Sequence, residues 1–294
     1  MNINHIRYFE EVCKTGSVTK AANECYISQP SITSAINSLE KELGYKLFYR
    51  VNNRLQLTPA GTQFRLLAKT FLTDYDNFEK KAYDISATHT SIIKLGIPSV
   101  IGSFLINKII PGFHDQYPET DLHILEIGTI DGINMLVNAD LDLMIGINRE
   151  SYYSNCDFKV ISTTELQLAV NTEHPLVKEK VITPDMLAGK PFVLLSKGSY
   201  HYQELSNYLH DVDHNIILRS NQISTIENLI TENKALTITY KELFSHNEHI
   251  KFIPLSDPIC VNIGIFKQKN SYCSKSVQAL INYISKNCSL SSTD

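Results

Sequence analysis

The sequence lacks the motifs that several enzyme and membrane classes require. It contains no G-x-G-x-x-G, no G-K-[ST] loop, no H-E-x-x-H and no G-x-S-x-G. The sequence therefore lacks the residues required for a phosphate-binding loop, for a zinc protease of the zincin type and for the nucleophile elbow of an α/β-hydrolase. The opening segment has no apolar core of the signal-peptide type, and no stretch approaches about 18 consecutive apolar residues. We predict a cytoplasmic protein that is not an enzyme and does not contact a membrane.

Cysteine is scattered, and histidine is grouped in only two places. The six cysteines include no C-x-x-C pair, which disfavours a zinc ribbon or a local redox motif. His210 and His214 enclose two aspartates, while His246 and His249 flank Glu248, and either group offers ligands to a divalent ion. Both groups lie in polar, turn-like runs of the kind that solvated loops also produce. We predict no metal ion and no cofactor.

Length and composition indicate an ordinary globular chain. Its 294 residues, 43% hydrophobic and 20% charged, suit about two or three domains. Charge is unevenly divided: residues 1–90 contain 11 Lys and Arg against 9 Asp and Glu, whereas the remainder contains 16 against 22. A mildly basic N-terminal part joined to an acidic body favours DNA binding at one end of the chain.

The stretch over residues 17–43 predicts two short helices joined by a tight turn. Ser17 and Ser28 are suited to cap them, and Pro30 stands in the first turn of the second helix, where its missing N–H has no partner to lose. One face of that helix is apolar, with Ile32, Ile36, Leu39 and Leu43 at helical spacing. The opposite face carries short, uncharged side chains that fit a DNA major groove, and Gln29 is suited to adenine. The solvated side of an ordinary helical hairpin has the same character.

After Gly44 the sequence predicts a β-wing, with Arg50 and Arg54 flanking an Asn52-Asn53 turn. Arginines beside a hairpin tip are well placed to contact phosphates or the minor groove, although solvated surface arginines give the same pattern. The predicted DNA-binding residues are Ser28, Gln29, Pro30, Ser31, Thr33, Ser34, Asn37, Arg50, Asn53 and Arg54.

A long helix is predicted to begin at Thr58-Pro59, a cap followed by a first-turn proline. Phe64, Phe71 and Phe78 recur every seven positions, and Ala68 and Tyr75 form a second set four residues later. This interlocked spacing indicates a coiled-coil seam between two copies of the chain; an amphipathic helix packed on its own domain is the alternative. The predicted dimerisation contacts are Phe64, Ala68, Phe71, Tyr75 and Phe78.

From Ile92 onward, strand and helix patterns alternate. The order β-α-β-α-β from IIKLGI to LDLMIGI predicts a parallel sheet with right-handed crossovers. A second set follows with the strands FVLLS, NIILRS and ALTITY, and the chain returns through VNIGIFKQ to a C-terminal helix over residues 274–287. The pattern therefore predicts two α/β lobes linked by crossing strands.

Three blocks of the first sixty residues resemble the N-terminal domain of LysR-type transcriptional regulators. They are SQP at the start of the second short helix, L-E-x-x-L-G-x-x-L-F-x-R over 39–50 and LTPAG over 57–61. The C-terminal part is similar, with less specific motifs, to the effector-binding domain of that family. The resemblance implies an α+β multidomain protein with a winged helix-turn-helix over 1–58, a linker helix over 59–88 and a two-lobed, Rossmann-like α/β domain over 89–294. Lobe I is expected to include about 92–162 and 266–294, and lobe II about 163–265.

The resemblance further implies a ligand-responsive regulator that binds double-stranded operator DNA as a homodimer or homotetramer, with RNA polymerase as a further candidate partner. A small-molecule effector, expected to be a carboxylate, would lie between the lobes, where strand ends and helix N-termini meet. The predicted effector-binding residues are Ser99, Val100, Thr129, Ser196, Lys197, Tyr200 and His201. Cap and turn roles explain the same residues.

Two departures from the family and two alternative functions accompany this interpretation. Ser34 stands where the family often has Arg, and ENKALTITY replaces a segment that is often Gly-rich. A solute-binding protein without a transcriptional role is disfavoured by the DNA-reading N-terminus and by the absence of a signal peptide. A redox-sensing regulator of the same family is disfavoured by the scattered cysteines.

Overall fold

The structure is a computed structural model that describes residues 1–51, 54–85, 91–148, 154–195, 200–210, 215–269 and 271–287. The chain divides into two compact units, Met1–Ser86 and Ala87–Asp294. Within the described residues, no helix combines the length and the apolar character needed to cross a membrane.

The N-terminal unit is a winged helix-turn-helix, as predicted. Its elements in chain order are α1 (Ile3–Thr15), α2 (Val18–Glu24), α3 (Gln29–Leu43), β1 (Phe48–Val51), β2 (Arg54–Leu57) and α4 (Pro59–Ile85). The two strands pair antiparallel, with Phe48 opposite Leu57 and Val51 opposite Arg54. The helices close around one core in which Phe9, Ile32 and Leu39 are fully buried.

Local sequence explains where the helices of this unit begin and end. The hydroxyls of Ser17 and Ser28 accept hydrogen bonds from backbone N–H groups in the first turns of α2 and α3. Gly44 follows α3 with a φ of 77°, a left-handed conformation that glycine adopts without strain. Tyr26, between α2 and α3, has a φ of 55° and is 95% exposed.

The first half of α4 belongs to the core of the N-terminal unit. Phe64 and Ala68 are 7% and 3% exposed, and the Phe64 ring meets the Phe9 ring edge-on, with centroids 5.1 Å apart. This finding corrects the expectation that both residues lie in a seam between two chains, because this face of α4 is covered by its own unit. Phe71 and Phe78, farther along α4, are 47% and 67% exposed.

The C-terminal unit is an α/β structure with a mixed sheet. Its elements in chain order are β3 (Ser91–Ile97), α5 (Ser99–Gln116), β4 (Thr120–Glu126), α6 (Thr129–Val137), β5 (Leu143–Ile147), β6 (Cys156–Asn171), β7 (Pro191–Leu194), α7 (Tyr200–Tyr208), β8 (Asn215–Arg219), α8 (Ile223–Thr231), β9 (Thr237–Tyr240), β10 (Ile250–Gln268) and α9 (Lys275–Asn287). Six strands form one sheet in the order β4-β3-β5-β10-β6-β9, and β7 pairs with β8 in a second. Strand β3 pairs parallel with β4 and β5, as the alternating pattern predicts.

The two longest strands run antiparallel through the middle of the larger sheet. Strand β6 has 16 residues and β10 has 19. Strand β5 pairs with residues 263–266 of β10, whereas β9 pairs with residues 166–169 of β6, so the two groups of strands share this central pair. The sequence pattern predicts only the end of β10 and does not predict β6, because the polar run from Ser162 to Glu165 in the centre of β6 has the composition of a loop.

Candidate functional site

The predicted DNA-reading residues lie along the exposed side of α3. Gln29, Thr33 and Asn37 are spaced by four and are exposed, while Ile32 and Ile36 are buried on the opposite side. The Thr33 hydroxyl donates to the Gln29 carbonyl at 3.1 Å. Ser28, Pro30, Ser31 and Ser34 are likewise exposed around the start of the same helix. These seven residues therefore form one continuous, uncharged face.

A cleft of about 740 Å³ joins this face to the wing and to the start of α2. It is lined by Gln29, Thr33 and Asn37 of α3 and by residues outside the predicted set, notably Thr19, Lys46 and Tyr49. Lys46 and Tyr49 bring an ammonium group and a phenol, both of which can contact phosphate. Their position in the sequence, between α3 and the turn of the wing, is the feature from which they could have been predicted.

The wing positions its arginines on paired strands. Arg50 of β1 lies opposite Leu55, and Arg54 of β2 lies opposite Val51, next to the hairpin turn. Asn53 lies outside the described residues. The strand register therefore places both arginine positions close to the turn, as the sequence predicts.

Glu40 is a buried acid on the wall of this cleft, with 7% of its surface exposed. Its Oε1 atom accepts a hydrogen bond from the Leu47 backbone N–H at 2.8 Å and from the Phe48 N–H at 3.3 Å. Its Oε2 atom lies 2.6 Å from Lys46 Nζ. Glu40 is not among the residues predicted from the sequence, although it continues the four-residue spacing of Ile32 and Ile36 and so falls on the buried side of α3.

Three predicted effector residues lie at the carboxyl ends of parallel strands. Ser99 begins α5 after β3, and its hydroxyl donates to a carboxylate oxygen of Glu126, the last residue of β4, at 3.0 Å. Thr129 begins α6 and is buried; its Oγ1 accepts the Ile147 N–H at 3.4 Å. The Val100 side chain is buried in the core of the unit.

This geometry shows what two of the predicted effector residues already contact within the protein. The Val100 side chain packs into the core, so its contribution to a ligand site would come from its backbone N–H in the first turn of α5. Thr129 fills the space above Gly146, where an added Cβ would lie 2.7 Å from the threonine Oγ1, so its hydroxyl faces β5. Ser196 and Lys197 lie outside the described residues. Tyr200 and His201 are the first two residues of α7, and their side chains lie outside the described part of the chain.

Three of the described thiols are disfavoured as thiolates by burial. Burial raises the pKa of Cys13 to about 12 and also raises the pKa values of Cys25 and Cys156. Cys156 stands opposite Gln268 in the β6–β10 pair and Cys260 opposite Glu165. These positions are nine residues apart along a strand, about 30 Å at the usual rise, so the two thiols cannot form a disulfide within this sheet.

The structure also bears on the two histidine groups. His246 Nε2 lies 3.1 Å from Glu227 Oε1, an ion pair on the surface when the imidazole is protonated. His214 lies outside the described residues. Among the residues that the structure describes, His246 and His249 included, no group of three or more His, Cys, Asp and Glu side chains is arranged to hold a metal ion.

Comparisons with known proteins agree with this architecture. Residues 3–62 match the family described as "Bacterial regulatory helix-turn-helix protein, lysR family", and residues 87–289 match "LysR substrate binding domain". The chain is 27% identical over 291 residues to the uncharacterized HTH-type transcriptional regulator YwbI of Bacillus subtilis, covering 96% of this chain and 95% of that protein.

Two solved structures share the fold. A full-length OxyR variant from Pseudomonas aeruginosa has a TM-score of 0.70 and 20% identity, covering 97% of this chain and 94% of the other. Full-length CbnR in complex with its target DNA has a TM-score of 0.61 and 16% identity, covering 98% and 100%. The family matches account for both units of the chain and explain why no enzyme motif was found. The chain belongs to the LysR family of DNA-binding transcriptional regulators, and it is not an enzyme.

Proposed function

We propose that the N-terminal unit binds operator DNA with α3 in the major groove and with the wing against the adjacent backbone or minor groove. The observation that carries this proposal is a shared cleft in which Gln29, Thr33 and Asn37 face the wing. Uncharged side chains on α3 are suited to reading base edges. The positive charge at Lys46 and at the Arg50 and Arg54 positions is suited to phosphates. CbnR, which shares this fold, binds its target DNA in the solved complex.

A gel shift with the purified chain and DNA from upstream of its own coding sequence tests this proposal. We expect a specific complex at moderate salt and weaker binding to random duplexes, which grows as salt is lowered because the phosphate contacts release counterions. A chain that shifts no duplex even at low salt would contradict the proposal, since phosphate contacts alone give measurable binding.

The operator complex is proposed to contain at least a homodimer, formed through the exposed side of α4. Phe71, Phe78 and Ile85 expose large apolar side chains along this helix, the last with 88% of its surface accessible. We propose that a second copy of the chain covers these side chains. Two α3 helices bound to two half-sites raise the affinity for DNA and match a two-fold symmetric operator. A dimer of such dimers gives the homotetramer, and RNA polymerase is proposed as a partner of the DNA-bound form.

The C-terminal unit is proposed to bind a small-molecule effector at the strand ends that carry Ser99. The sequence favours a carboxylate, but the Ser99 hydroxyl already donates to Glu126, and a second carboxylate there would meet a like charge. To bind the Ser99 hydroxyl, an anionic effector must therefore displace Glu126 from it. An effector with an ammonium or hydroxyl donor would instead gain a partner in Glu126.

Thermal shift with paired small molecules separates these possibilities, because a binder raises the melting temperature by mass action. Small carboxylates and their amine and amide counterparts are compared on the wild type, on Ser99→Ala and on Glu126→Gln. Tighter carboxylate binding to Glu126→Gln would support an anionic effector that competes with Glu126. Weaker amine binding to the same variant would support a cationic one. A ligand whose affinity is unchanged in both variants would contradict this placement of the site.

A further inference from the structure

The segment from Lys46 to Phe48 connects the recognition helix α3 to the wing, and it is bonded on two sides. On the α3 side, the buried Glu40 carboxylate accepts the N–H groups of Leu47 and Phe48 and pairs with the Lys46 ammonium. A carboxylate buried to this extent is costly unless its charge and lone pairs are satisfied, and here three donors satisfy it. Hydrophobic packing alone would hold the wing near α3 but would not fix its register.

On its other side the segment is bonded to the start of α4. The Thr58 hydroxyl donates to the Lys46 carbonyl at 2.7 Å, and the Thr58 N–H donates to the Leu47 carbonyl at 2.9 Å. The Gly61 N–H in turn donates to the Thr58 hydroxyl at 2.8 Å. A Cβ at Gly61 would lie 2.1 Å from the Leu47 carbonyl oxygen, so only glycine permits this approach.

Because these bonds converge on three residues, a displacement of the segment moves the wing relative to the base-reading residues. Asn37 precedes Glu40 by three residues on α3, and both line the same cleft as Lys46. The carboxylate therefore sets the distance between the α3 face and the first strand of the wing. Lys46 also neutralises a negative charge that would otherwise stand on the wall of a DNA-binding surface.

We propose that Glu40 is a positioning residue for DNA binding, which fixes the wing at the distance from α3 that simultaneous contact with groove and backbone requires. This inference rests on the proposed function of the cleft. It concerns a residue that itself contacts no base and acts through the backbone of Leu47 and Phe48.

The test uses the full-length chain and compares Glu40→Ala and Glu40→Gln with the wild type. Glutamine retains an oxygen acceptor for the Leu47 N–H but loses the attraction for Lys46, whereas alanine leaves both backbone donors without this partner. We expect Glu40→Ala to lose about tenfold or more in operator affinity and Glu40→Gln to lose less. Glu42→Gln is the matched control, because Glu42 lies two residues away on α3, is about half-exposed and pairs with the terminal amine of Met1 rather than with the wing.

Footprinting separates positioning from simple loss of stability. At saturating protein, we expect Glu40→Ala to retain guanine protection from methylation in the major groove under α3 and to lose hydroxyl-radical protection at the wing. Thermal unfolding of each variant measures the folded fraction at the assay temperature. If Glu40→Ala does not fold, Glu40→Gln provides the comparison with an oxygen acceptor for the backbone N–H groups still in place.

Three outcomes would overturn the proposal. They are unchanged affinity and footprint in both Glu40 variants, an equal loss of the two protections, or a loss accounted for entirely by the unfolded fraction. A wild-type chain that shifts no DNA would instead reject the proposed function of the cleft, so the two failures are distinguishable.

Discussion

The guanidinium of Arg65 on α4 forms a bidentate hydrogen-bonded ion pair with the carboxylate of Glu10 on α1. Nη2 donates to Oε1 at 2.9 Å and Nε donates to Oε2 at 3.0 Å. The Glu10 side chain is 8% exposed, and this hydrogen bond raises the pKa of Arg65. The pair stands beside the contact between Phe9 and Phe64, so charge and aromatic packing together fix α4 on α1.

Replacement of Arg65 by methionine is expected to destabilise the N-terminal unit. The methionine stem fills similar space but leaves the Glu10 carboxylate buried without its bidentate partner, and we expect the free energy of unfolding to fall by about 2–4 kcal/mol. Urea unfolding followed by circular dichroism measures the change. Arg7→Met is the control, because Arg7 pairs with Asp76 at the surface and should lose about 1 kcal/mol or less. Equal losses in the two variants would contradict the importance of the buried pair.

Removal of the Gln29 side chain is expected to change specificity more than affinity. The amide is suited to a bidentate contact with one base, so Gln29→Ala should reduce the ratio of operator to random-DNA affinity by about tenfold while low-salt binding to random DNA stays nearly constant. Competition gel shifts at two salt concentrations measure both quantities. Ser38→Ala, an exposed position of α3 outside the cleft lining, is the control. An equal loss on both DNAs would mean that α3 positions the protein and the bases are read elsewhere.

The exposed phenylalanines of α4 are expected to hold two chains together. Phe71→Ser and Phe78→Ser should each raise the dissociation constant of the dimer by about tenfold or more, since buried aromatic anchors dominate interface energetics. Sedimentation velocity across a concentration series measures the shift. Ile217→Ser changes a side chain of comparable exposure on the C-terminal unit and should leave the assembly intact. Unchanged sedimentation of both α4 variants would reject this side of the helix as the interface.

The buried thiols are expected to resist modification at neutral pH. With a pKa near 12, Cys13 stays protonated at pH 8, so iodoacetamide should label Cys260, which is exposed, well before Cys13 or Cys156. A thiol whose pKa is raised in the folded state stabilises that state below about pH 9, and this contribution is lost as pH rises toward 12. Mass spectrometry after timed labelling measures the order. Rapid labelling of Cys13, or a disulfide formed within one chain by peroxide, would revive the redox-sensing alternative.

The helix-turn-helix was predictable because its signals are local. Caps at Ser17 and Ser28, a first-turn proline and a four-residue apolar spacing each act within one or two helical turns. The heptad spacing of Phe64 and Phe71 is equally regular, but spacing alone does not tell whether a helix packs on its own domain or on a second chain. The structure places Phe64 in the core and leaves Phe71 half-exposed, so one periodic pattern serves two environments.

The parts that sequence reasoning missed depend on distant partners. The polar centre of β6 has the composition of a loop and becomes a strand because β10 and β9 supply its hydrogen bonds. Glu40 has the chemistry of a solvated helix residue until the backbone of Leu47 folds onto it. The contact of the Thr129 hydroxyl with β5 likewise depends on Gly146, whose missing side chain allows α6 to approach the strand closely. Such contacts are properties of the tertiary structure rather than of any window of sequence.

The central pair of β6 and β10 also determines how the C-terminal unit can respond to a ligand. Two separate connecting loops would place few hydrogen bonds in the way of a movement between its two groups of strands, whereas a paired ladder has to deform for such a movement to occur. Its weakest points are the register shifts between Pro254 and Ile259 and between Ile263 and Gly264, where the ladder is interrupted. A movement between the two groups of strands is therefore expected to bend or twist β6 and β10 at these two interruptions, where fewer ladder hydrogen bonds oppose it.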